Sequence, residues 1–133
     1  MKQMEITSSV SFHYYTDFDK AKFFYETVLG LQIGHDFDWA ILYQVTGKSF
    51  IGVVKKDKSS ITQGHTRNLF SFTVSNLEEC YDRIKHYENE FVFDLSEIKH
   101  FEDIQLKSFF FKCHEGYDFE IQSFQSEELK RIF

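Results

Sequence analysis

Apolar side chains recur at helical spacing in two segments of the chain. Within each segment they stand at i, i+3, i+7 and i+10, which puts them along one stripe of an amphipathic helix. The first set is Phe18, Ala21, Tyr25 and Val28, and the second is Leu77, Cys80, Ile84 and Tyr87. Because the second set lies 59 residues after the first, the pattern predicts two equivalent helices and an internal duplication.

The residues that flank the two stripes also correspond. Asp17 and Asn76 precede them and are typical N-caps, and Asn76 with Glu79 three residues later resembles a capping box. Gly30 and Asn89 follow the two stripes at the same offset. Both residue types tolerate the left-handed backbone conformation that ends many helices, so we expect each helix to stop there.

An alternating strand precedes each predicted helix. The apolar positions are Val10, Phe12 and Tyr14 before the first helix, and Phe70, Phe72 and Val74 before the second. Here the offset between the two sets is 60 residues rather than 59. One extra residue, absorbed by a bulge or a longer turn near Tyr15 and Thr16, accounts for the difference.

Three further strands are predicted after each helix. They cover about 31–36, 39–46 and 49–55 in the first repeat, and 91–96, 106–113 and 118–124 in the second. The segment 97–105 is an extra loop, 57–67 is a polar linker, and 126–132 is a short C-terminal helix. The sequence thus predicts an α+β fold of two βαβββ modules, about 6–56 and 68–124, within one domain of residues 1–133.

Composition and charge narrow the class of protein. The 133 residues are 42% hydrophobic, which suits a globular domain, and the net charge of −6 argues against a nucleic-acid or an anionic membrane partner. No apolar run has the roughly 18 residues that a membrane span needs. Cys80 and Cys113 lack a metal or redox spacing and lie in apolar-patterned segments. We therefore expect buried free thiols and a cytoplasmic protein.

Two stretches of the chain resemble a known family. Residues 17–31 run from an aspartate cap through Phe-Tyr to Val-Leu-Gly, and they resemble the first-helix signature of the glyoxalase/bleomycin resistance/dioxygenase, or vicinal oxygen chelate, superfamily. Residues 115–121 resemble the closing turn and final strand of that family more loosely, since Cys113 and His114 replace its Asp-Pro. A tandem βαβββ repeat is also the layout of that family, so the resemblance covers about residues 6–124.

The resemblance implies two sheets curled around a cup, with a divalent metal held by a His in the first strand and a Glu in the last strand of each module. Only one of the four corresponding positions carries such a ligand, and it is Glu120. The others fall on Leu69 for the His of module 2, on Ser9 or Val10 for the His of module 1, and on Gly52 or Ile51 for its Glu. One ligand does not hold a divalent metal, so we expect no metal cofactor.

Glu120 and His13 are the candidates for chemistry. Phe119 and Ile121 flank Glu120, and strand alternation then turns its carboxylate to the opposite face, into the cup. There it could act as a general base or bind a cationic group of a ligand. If the first module has the extra residue, His13 and Ser11 also face the cup; in the ungapped register His13 faces the helix. Alternatively, Glu120 is a solvated carboxylate and His13 is a structural residue, and neither has a role in function.

Aromatic side chains supply the predicted wall of a ligand pocket. Trp39, Ile41 and Tyr43 alternate on one face of a strand, and Trp and Tyr suit an aromatic or amphipathic ligand. The same stripe could equally belong to the core. The complete predicted pocket consists of Trp39, Tyr43, Ser11, Gly52 and Leu69.

The resemblance leaves more than one function open. The missing ligands favour a metal-free protein that binds or sequesters a small molecule. The alternatives are a metal-dependent glyoxalase, lyase or dioxygenase whose ligands lie elsewhere, and a metal-free enzyme that uses Glu120 or His13 for acid–base catalysis. The identity of the ligand, and whether any reaction is catalysed, stay open. We also expect a homodimer, because members of the family often pair and open sheet edges favour pairing.

Overall fold

The computed structural model describes residues 5–56 and 69–133. The chain divides into two units, Met1–Gln63 and Gly64–Phe133, and the predicted linker at 57–67 lies outside the described residues. Each unit contains one curled, unclosed sheet and few helices, so the predicted α+β class is confirmed. Within the described ranges, no helix is long and apolar enough to cross a membrane.

The first unit contains four strands and one helix among its described residues. Strand β1 is Ser9–Tyr15, helix α1 is Phe18–Phe23 and continues as a π-helical turn over Phe24–Val28, and strands β2, β3 and β4 are Gln32–Asp36, Ala40–Thr46 and Ser49–Lys55. The strand order is β1-β4-β3-β2. Strand β1 runs parallel to β4, and the other pairs are antiparallel. Strands β2, β3 and β4 begin and end within one residue of the predicted positions.

The second unit repeats this order and adds one strand. Its elements are β5 (Leu69–Thr73), α2 (Leu77–Lys85), β6 (Val92–Phe93), β7 (Lys99–Phe101), β8 (Leu106–Cys113), β9 (Asp118–Phe124) and α3 (Glu127–Ile132). The strand order is β5-β9-β8-β6, and β7 also pairs with β8. Strands β8 and β9 have the predicted bounds, and α3 begins one residue later than predicted.

The segment 97–105, which the sequence predicts to be a loop, contains β7. Strand β6 is shorter than the predicted strand at 91–96, and on β8 it pairs with Lys112 and Cys113 alone. The remaining edge of β8 needs partners for its backbone N–H and C=O groups. Strand β7 supplies them in antiparallel pairing, with Lys99 opposite Ser108. The loop prediction was therefore wrong for these three residues, which carry no apolar alternation.

The predicted helix ends are confirmed for α1, whereas those of α2 differ in part from the prediction. The Asp17 carboxylate accepts a hydrogen bond of 3.0 Å from the backbone N–H three residues later and so caps α1. Gly30 and Asn89 have φ values of 72° and 71°, the left-handed conformation expected of them, but α2 ends at Lys85, four residues before Asn89. Asn76 occupies the N-cap position of α2 but makes no side-chain bond to the helix backbone. Its amide donates to the Glu79 carboxylate at 3.4 Å instead, so the capping-box prediction was wrong.

The face that β1 turns towards the helix also differs from the preferred prediction. His13 and Tyr15 are buried, at 1% and 0% exposure, whereas Val10, Phe12 and Tyr14 are between 36% and 51% exposed. The strand therefore follows the ungapped register. The extra residue that we placed near Tyr15 is absent, and His13 points away from the face where a ligand was expected.

Hydrogen bonds explain why polar aromatic residues occupy this side of β1. The hydroxyls of Tyr15 and Tyr25 are 2.8 Å apart, and the Tyr25 hydroxyl lies 3.5 Å from Nδ1 of His13. Buried polar groups need such partners, and Tyr25 offers one to both residues from the π-helical turn. A Tyr or His with a partner is as suitable for a core as Val or Phe.

The core of the second unit is an aromatic layer between the sheet and α2. Phe119 and Ile121 are buried on this side, as predicted, together with Phe109 and Phe111. The rings of Phe111 and Phe119 stack at 5.4 Å, and the ring of Tyr81 on α2 meets Phe109 edge-on at 5.0 Å. Since Phe119 and Ile121 face the helix, the side chain between them must face the other side of the sheet.

Tyr43, which the sequence placed in the ligand pocket, lies in the core of the first unit. Its ring stacks on Tyr25 at 5.3 Å, and its hydroxyl donates a hydrogen bond of 2.8 Å to the Glu26 carboxylate. Burial, followed by this hydrogen bond and the charge of Glu26, raises the pKa of Tyr43 far above its usual range. The folded protein therefore keeps this phenol protonated in alkaline solution.

The raised pKa of Tyr43 predicts a loss of stability at high pH. Because the folded pKa lies above the unfolded value of about 10, the contribution of Tyr43 is complete below that pH and is lost as the pH rises through and beyond it. In denaturant unfolding, Tyr43→Phe should lower the free energy of unfolding by about 1–3 kcal/mol at pH 7. That deficit should shrink above about pH 10, by up to about 1.4 kcal/mol per pH unit. A deficit that stays constant from pH 7 to pH 11 would contradict the assignment.

Candidate functional site

Each sheet has a second face, on the side away from its helix. In the first unit, the strand registers place a set of mainly apolar residues on this face. We call it the apolar open face, and it consists of Val10, Phe12, Tyr14, Leu42, Phe50 and Gly52. Phe12 is 51% exposed. An exposed aromatic face of this kind favours contact with apolar groups of another molecule.

Gly52 and Glu120 occupy equivalent positions in the two sheets. Gly52 on β4 lies between Phe12 on the parallel strand β1 and Leu42 on the antiparallel strand β3. Glu120 on β9 lies in the same way between Ser71 on β5 and Phe110 on β8. The register therefore selects Gly52, rather than Ile51, as the counterpart of Glu120.

The Phe12 ring occupies the space that a side chain at position 52 would need. A Cβ atom added to Gly52 would lie 2.6 Å from Cδ1 of Phe12 and 3.1 Å from Cδ2 of Leu42. Both distances are shorter than ordinary carbon–carbon contacts. A carboxylate at this position is therefore incompatible with the packing of the first sheet unless Phe12 moves.

The second sheet has a polar open face instead. The registers arrange its residues in three rows across the strands. The first row is Lys112, Asp118 and Leu69, the second is Phe110, Glu120 and Ser71, and the third is Lys99, Ser108, Gln122 and Thr73. We call these eight polar and two apolar residues the polar open face.

Lateral hydrogen bonds tie each row of the polar open face together. In the first row, Lys112 and Asp118 form an ion pair of 2.5 Å, and the hydrogen bond from this pair raises the pKa of Lys112. In the third row, the Gln122 amide donates to the Thr73 hydroxyl at 2.9 Å. The middle row is joined by the bond that Ser71 donates to Glu120.

Glu120 is the most distinctive group on this face. It is 8% exposed, yet within the described part of the chain its carboxylate accepts a bond only from the neutral Ser71 and pairs with no cation. Phe110 lies opposite it on the neighbouring strand. A nearly buried carboxylate without a counter-charge is costly, so the arrangement favours a cation or a hydrogen-bond donor brought by another molecule.

The structure divides the predicted site residues into two groups. Leu69, Gly52 and Glu120 lie on open faces, whereas Tyr43 and His13 lie in the core of the first unit. Ser11 alternates with Phe12 and so lies on the helix side of β1 with His13, although it is exposed. Trp39 just precedes β3, is 59% exposed, and has its ring 5.8 Å from that of Phe37.

Sequence reasoning missed two neighbours of Glu120, namely Ser71 and Phe110, and a further residue of the same face, Lys99. Ser71 stands between Phe70 and Phe72, and the alternation of those residues was a usable signal for its direction. Its partner is 49 residues away, so the contact depends on a strand register that no local pattern gives. Lys99 lies in the segment that we predicted to be a loop.

The open faces do not offer the donors that a divalent metal needs. Among residues 5–56 and 69–133, no three His, Cys, Asp or Glu side chains come together in a group that could hold one. The positions equivalent to Glu120 and to Leu69 in the first sheet are Gly52 and Val10, neither of which has a side-chain donor. Glu120, with only the ion-paired Asp118 as a second carboxylate on its face, does not make up the usual four- to six-ligand sets of Zn, Ni, Mn or Fe(II).

Comparison with solved structures finds close likeness in fold at low sequence identity. A genomically encoded fosfomycin resistance protein, FosX, from Listeria monocytogenes has a TM-score of 0.72 and 16% identity, covering 94% of this chain and 98% of that chain. TioX from Micromonospora sp. ML1 has a TM-score of 0.70 and 19% identity over 89% and 98% of the two chains. A lactoylglutathione lyase from Agrobacterium tumefaciens has a TM-score of 0.67 and 15% identity over 92% and 96%. No protein-family model and no curated protein matches the sequence.

The contact between Phe12 and position 52 predicts a specific pattern of coupled mutations. Gly52→Ala should lower the free energy of unfolding by about 1–3 kcal/mol, since the added methyl group overlaps the ring. In a Phe12→Ala background the same substitution should cost less, by at least about 0.5 kcal/mol. Denaturant unfolding of the four proteins measures this coupling. Equal costs of Gly52→Ala in the two backgrounds would show that the ring does not fill this space.

Proposed function

We propose that this protein, which has the fold of the glyoxalase/bleomycin resistance/dioxygenase superfamily, binds a small molecule without the help of a metal ion. The observation that carries the proposal is Glu120, a nearly buried carboxylate with no cationic partner among the described residues. It lies on an open sheet face beside Phe110. A convergent polar group next to apolar area is the usual composition of a ligand site.

The ligand class follows from the chemistry of the polar open face. Phe110 offers apolar area beside Glu120, and hydrogen-bonding groups surround the pair. We therefore propose a ligand with an apolar body and a cationic or hydrogen-bond-donating group, with the latter bound by Glu120.

Metal-free binding is supported by the packing of the first sheet. Phe12 lies over Gly52, where a second carboxylate of a four-ligand site would stand. The fold alone does not decide between binding and catalysis. Two of the similar structures are named for a small molecule, fosfomycin in one and lactoylglutathione in the other, and this supports a small-molecule ligand without naming it.

The position of His13 does not support acid–base catalysis by Glu120 and His13 together. The imidazole is 1% exposed and is directed to the Tyr25 hydroxyl in the core of the first unit. A general acid or base must reach the proton that it transfers. Ligand binding through Glu120 is therefore the function that the geometry supports best.

A cationic aromatic probe tests the role of Glu120. We expect 4-methylbenzylamine, titrated by NMR, to shift amide signals of β8 and β9. The substitution Glu120→Gln keeps the side-chain shape and removes the charge. It should weaken this binding by about 1.5–3 kcal/mol, the value of a charge-assisted hydrogen bond, because the ammonium group loses its carboxylate partner.

Glu128→Gln on the exposed surface of α3 is the matched control. It changes the net charge by the same amount and should leave the binding constant unchanged. Equal weakening by both variants would indicate a general charge effect and would remove the specific role of Glu120. Absence of binding to the parent protein would contradict the proposed function itself.

We further propose that the protein is a cytoplasmic homodimer. The chain has a net charge of −6, which speaks against nucleic-acid partners, and neither Cys80 nor Cys113 is in a disulfide, in keeping with a reducing compartment. Cys113 is buried as predicted, whereas Cys80 is only half-buried.

Strand β2 is the edge of the first sheet and is exposed along its whole length. Exposed edges of this kind favour pairing with another chain.

The dimer can be tested without any ligand. Light scattering coupled to size-exclusion chromatography should give twice the chain mass of 15.9 kDa, because a symmetric pair is the commonest way to cover such an edge. A mass of 15.9 kDa at the concentration used for the binding experiments would refute the dimer.

A further inference from the structure

The charges on the polar open face are balanced in one row and unbalanced in the two others. In the first row, Lys112 and Asp118 neutralise each other through their ion pair. The second row contains the anion Glu120 but no base, and the third contains the cation Lys99 but no acid. The face therefore presents one anion and one cation that have no counter-charge in their own rows.

Lys99 has an unusual neighbourhood for a surface lysine. Its ammonium lies 5.6 Å from the centre of the Phe110 ring, a cation–π contact. The residue opposite it on β8 is the neutral Ser108, whose buried hydroxyl has no hydrogen-bond partner in the described part of the protein. Within those residues, no carboxylate lies within ion-pair distance of the Lys99 ammonium.

The order of the strands sets the separation of the two charges. Strands β7 and β9, which carry Lys99 and Glu120, both pair with β8, which carries Phe110. Their partners on β8, Ser108 and Phe110, are two residues apart. The backbone positions of the two charged residues are therefore two strand spacings apart across the sheet and two residues apart along it, or about 12 Å in all. Phe110 projects from the strand between them, on the same face. Across the strands, this face therefore carries an anion, then an aromatic ring, then a cation.

From this juxtaposition we infer that the ligand is a small zwitterion whose two charges are separated by an apolar group the size of a benzene ring. Its cationic group binds Glu120, its apolar centre lies on Phe110, and its anionic group binds Lys99. This inference rests on the proposed function and adds the anionic end of the ligand. An amine without an anionic group would satisfy Glu120 but leave Lys99 unmatched, so the zwitterion should bind more tightly.

Three probes of the same shape separate the contribution of the cationic group to binding from that of the anionic group. The zwitterion 4-(aminomethyl)benzoate has both charges, 4-methylbenzylamine has only the cation, and 4-methylbenzoate has only the anion. In NMR titrations of the whole protein we expect the zwitterion to bind about tenfold more tightly than the amine. The benzoate should bind most weakly, because Glu120 repels it.

Lys99→Gln is the decisive variant, and Lys85→Gln is its matched control. Lys85 also places its ammonium over an aromatic ring, at 5.9 Å from the centre of Tyr81, but it lies on α2. Lys99→Gln should abolish the tenfold preference for the zwitterion over the amine, because the anionic end of the zwitterion loses its partner. Lys85→Gln should preserve that preference. Unfolding midpoints of both variants verify that each is folded.

The outcomes distinguish the two claims. If the amine binds and the zwitterion binds no better, the proposed function stands and the inference about Lys99 is overturned. If the preference exists but survives Lys99→Gln, another group binds the anionic end and the inference is likewise overturned. If neither the amine nor the zwitterion binds, the proposed function fails together with the inference.

Discussion

The contact between the Phe12 ring and Gly52 is the constraint on which the character of the first sheet depends. Because a Cβ at position 52 would come within 2.6 Å of the ring, the ring and a side chain at this position exclude each other. The ring is there because the other side of β1 carries His13 and Tyr15, and the Tyr25 hydroxyl lies near the Tyr15 hydroxyl and Nδ1 of His13 inside the core. The core register thus decides which residues reach the open face.

The second sheet has the same backbone arrangement, but its open face is polar rather than apolar. Ser71 stands where Phe12 stands, and Glu120 stands where Gly52 stands. A small hydroxyl leaves room for a carboxylate and donates a hydrogen bond to it, whereas a large ring leaves room only for glycine. The duplication therefore yields one apolar and one polar open face from a single architecture. Glu120 consequently has no carboxylate at the equivalent position of the first sheet.

Much of the architecture could be predicted from local patterns. The bounds of β4, β8 and β9 followed from alternation between turns, and the ends of the first helix followed from Asp17 and Gly30, each of which has a conformational reason to be there. The direction of Glu120 followed from its two apolar neighbours. These features are local, so a single sequence contains enough information to place them.

The remaining features depend on contacts between distant residues. The two faces of β1 both carry aromatic side chains, so alternation alone could not decide that His13 belongs to the core. That choice depends on a hydroxyl from the π-helical turn. Strand β7 has no alternation and forms because β6 leaves the edge of β8 open. The pairing of Ser71 with Glu120 and the position of Lys99 beside Phe110 require the strand registers, which only the folded sheet provides.

Metal content is the most direct test of the proposed ligand binding without a metal ion. The protein should be purified without chelators and without a metal-affinity step, and Zn, Ni, Mn and Fe should be measured against protein concentration by inductively coupled plasma mass spectrometry. We predict well under one equivalent in total, since the position that a second carboxylate would need is filled by Phe12. One equivalent of any of these metals, removed by a chelator and restored when the metal is added back, would contradict metal-free binding.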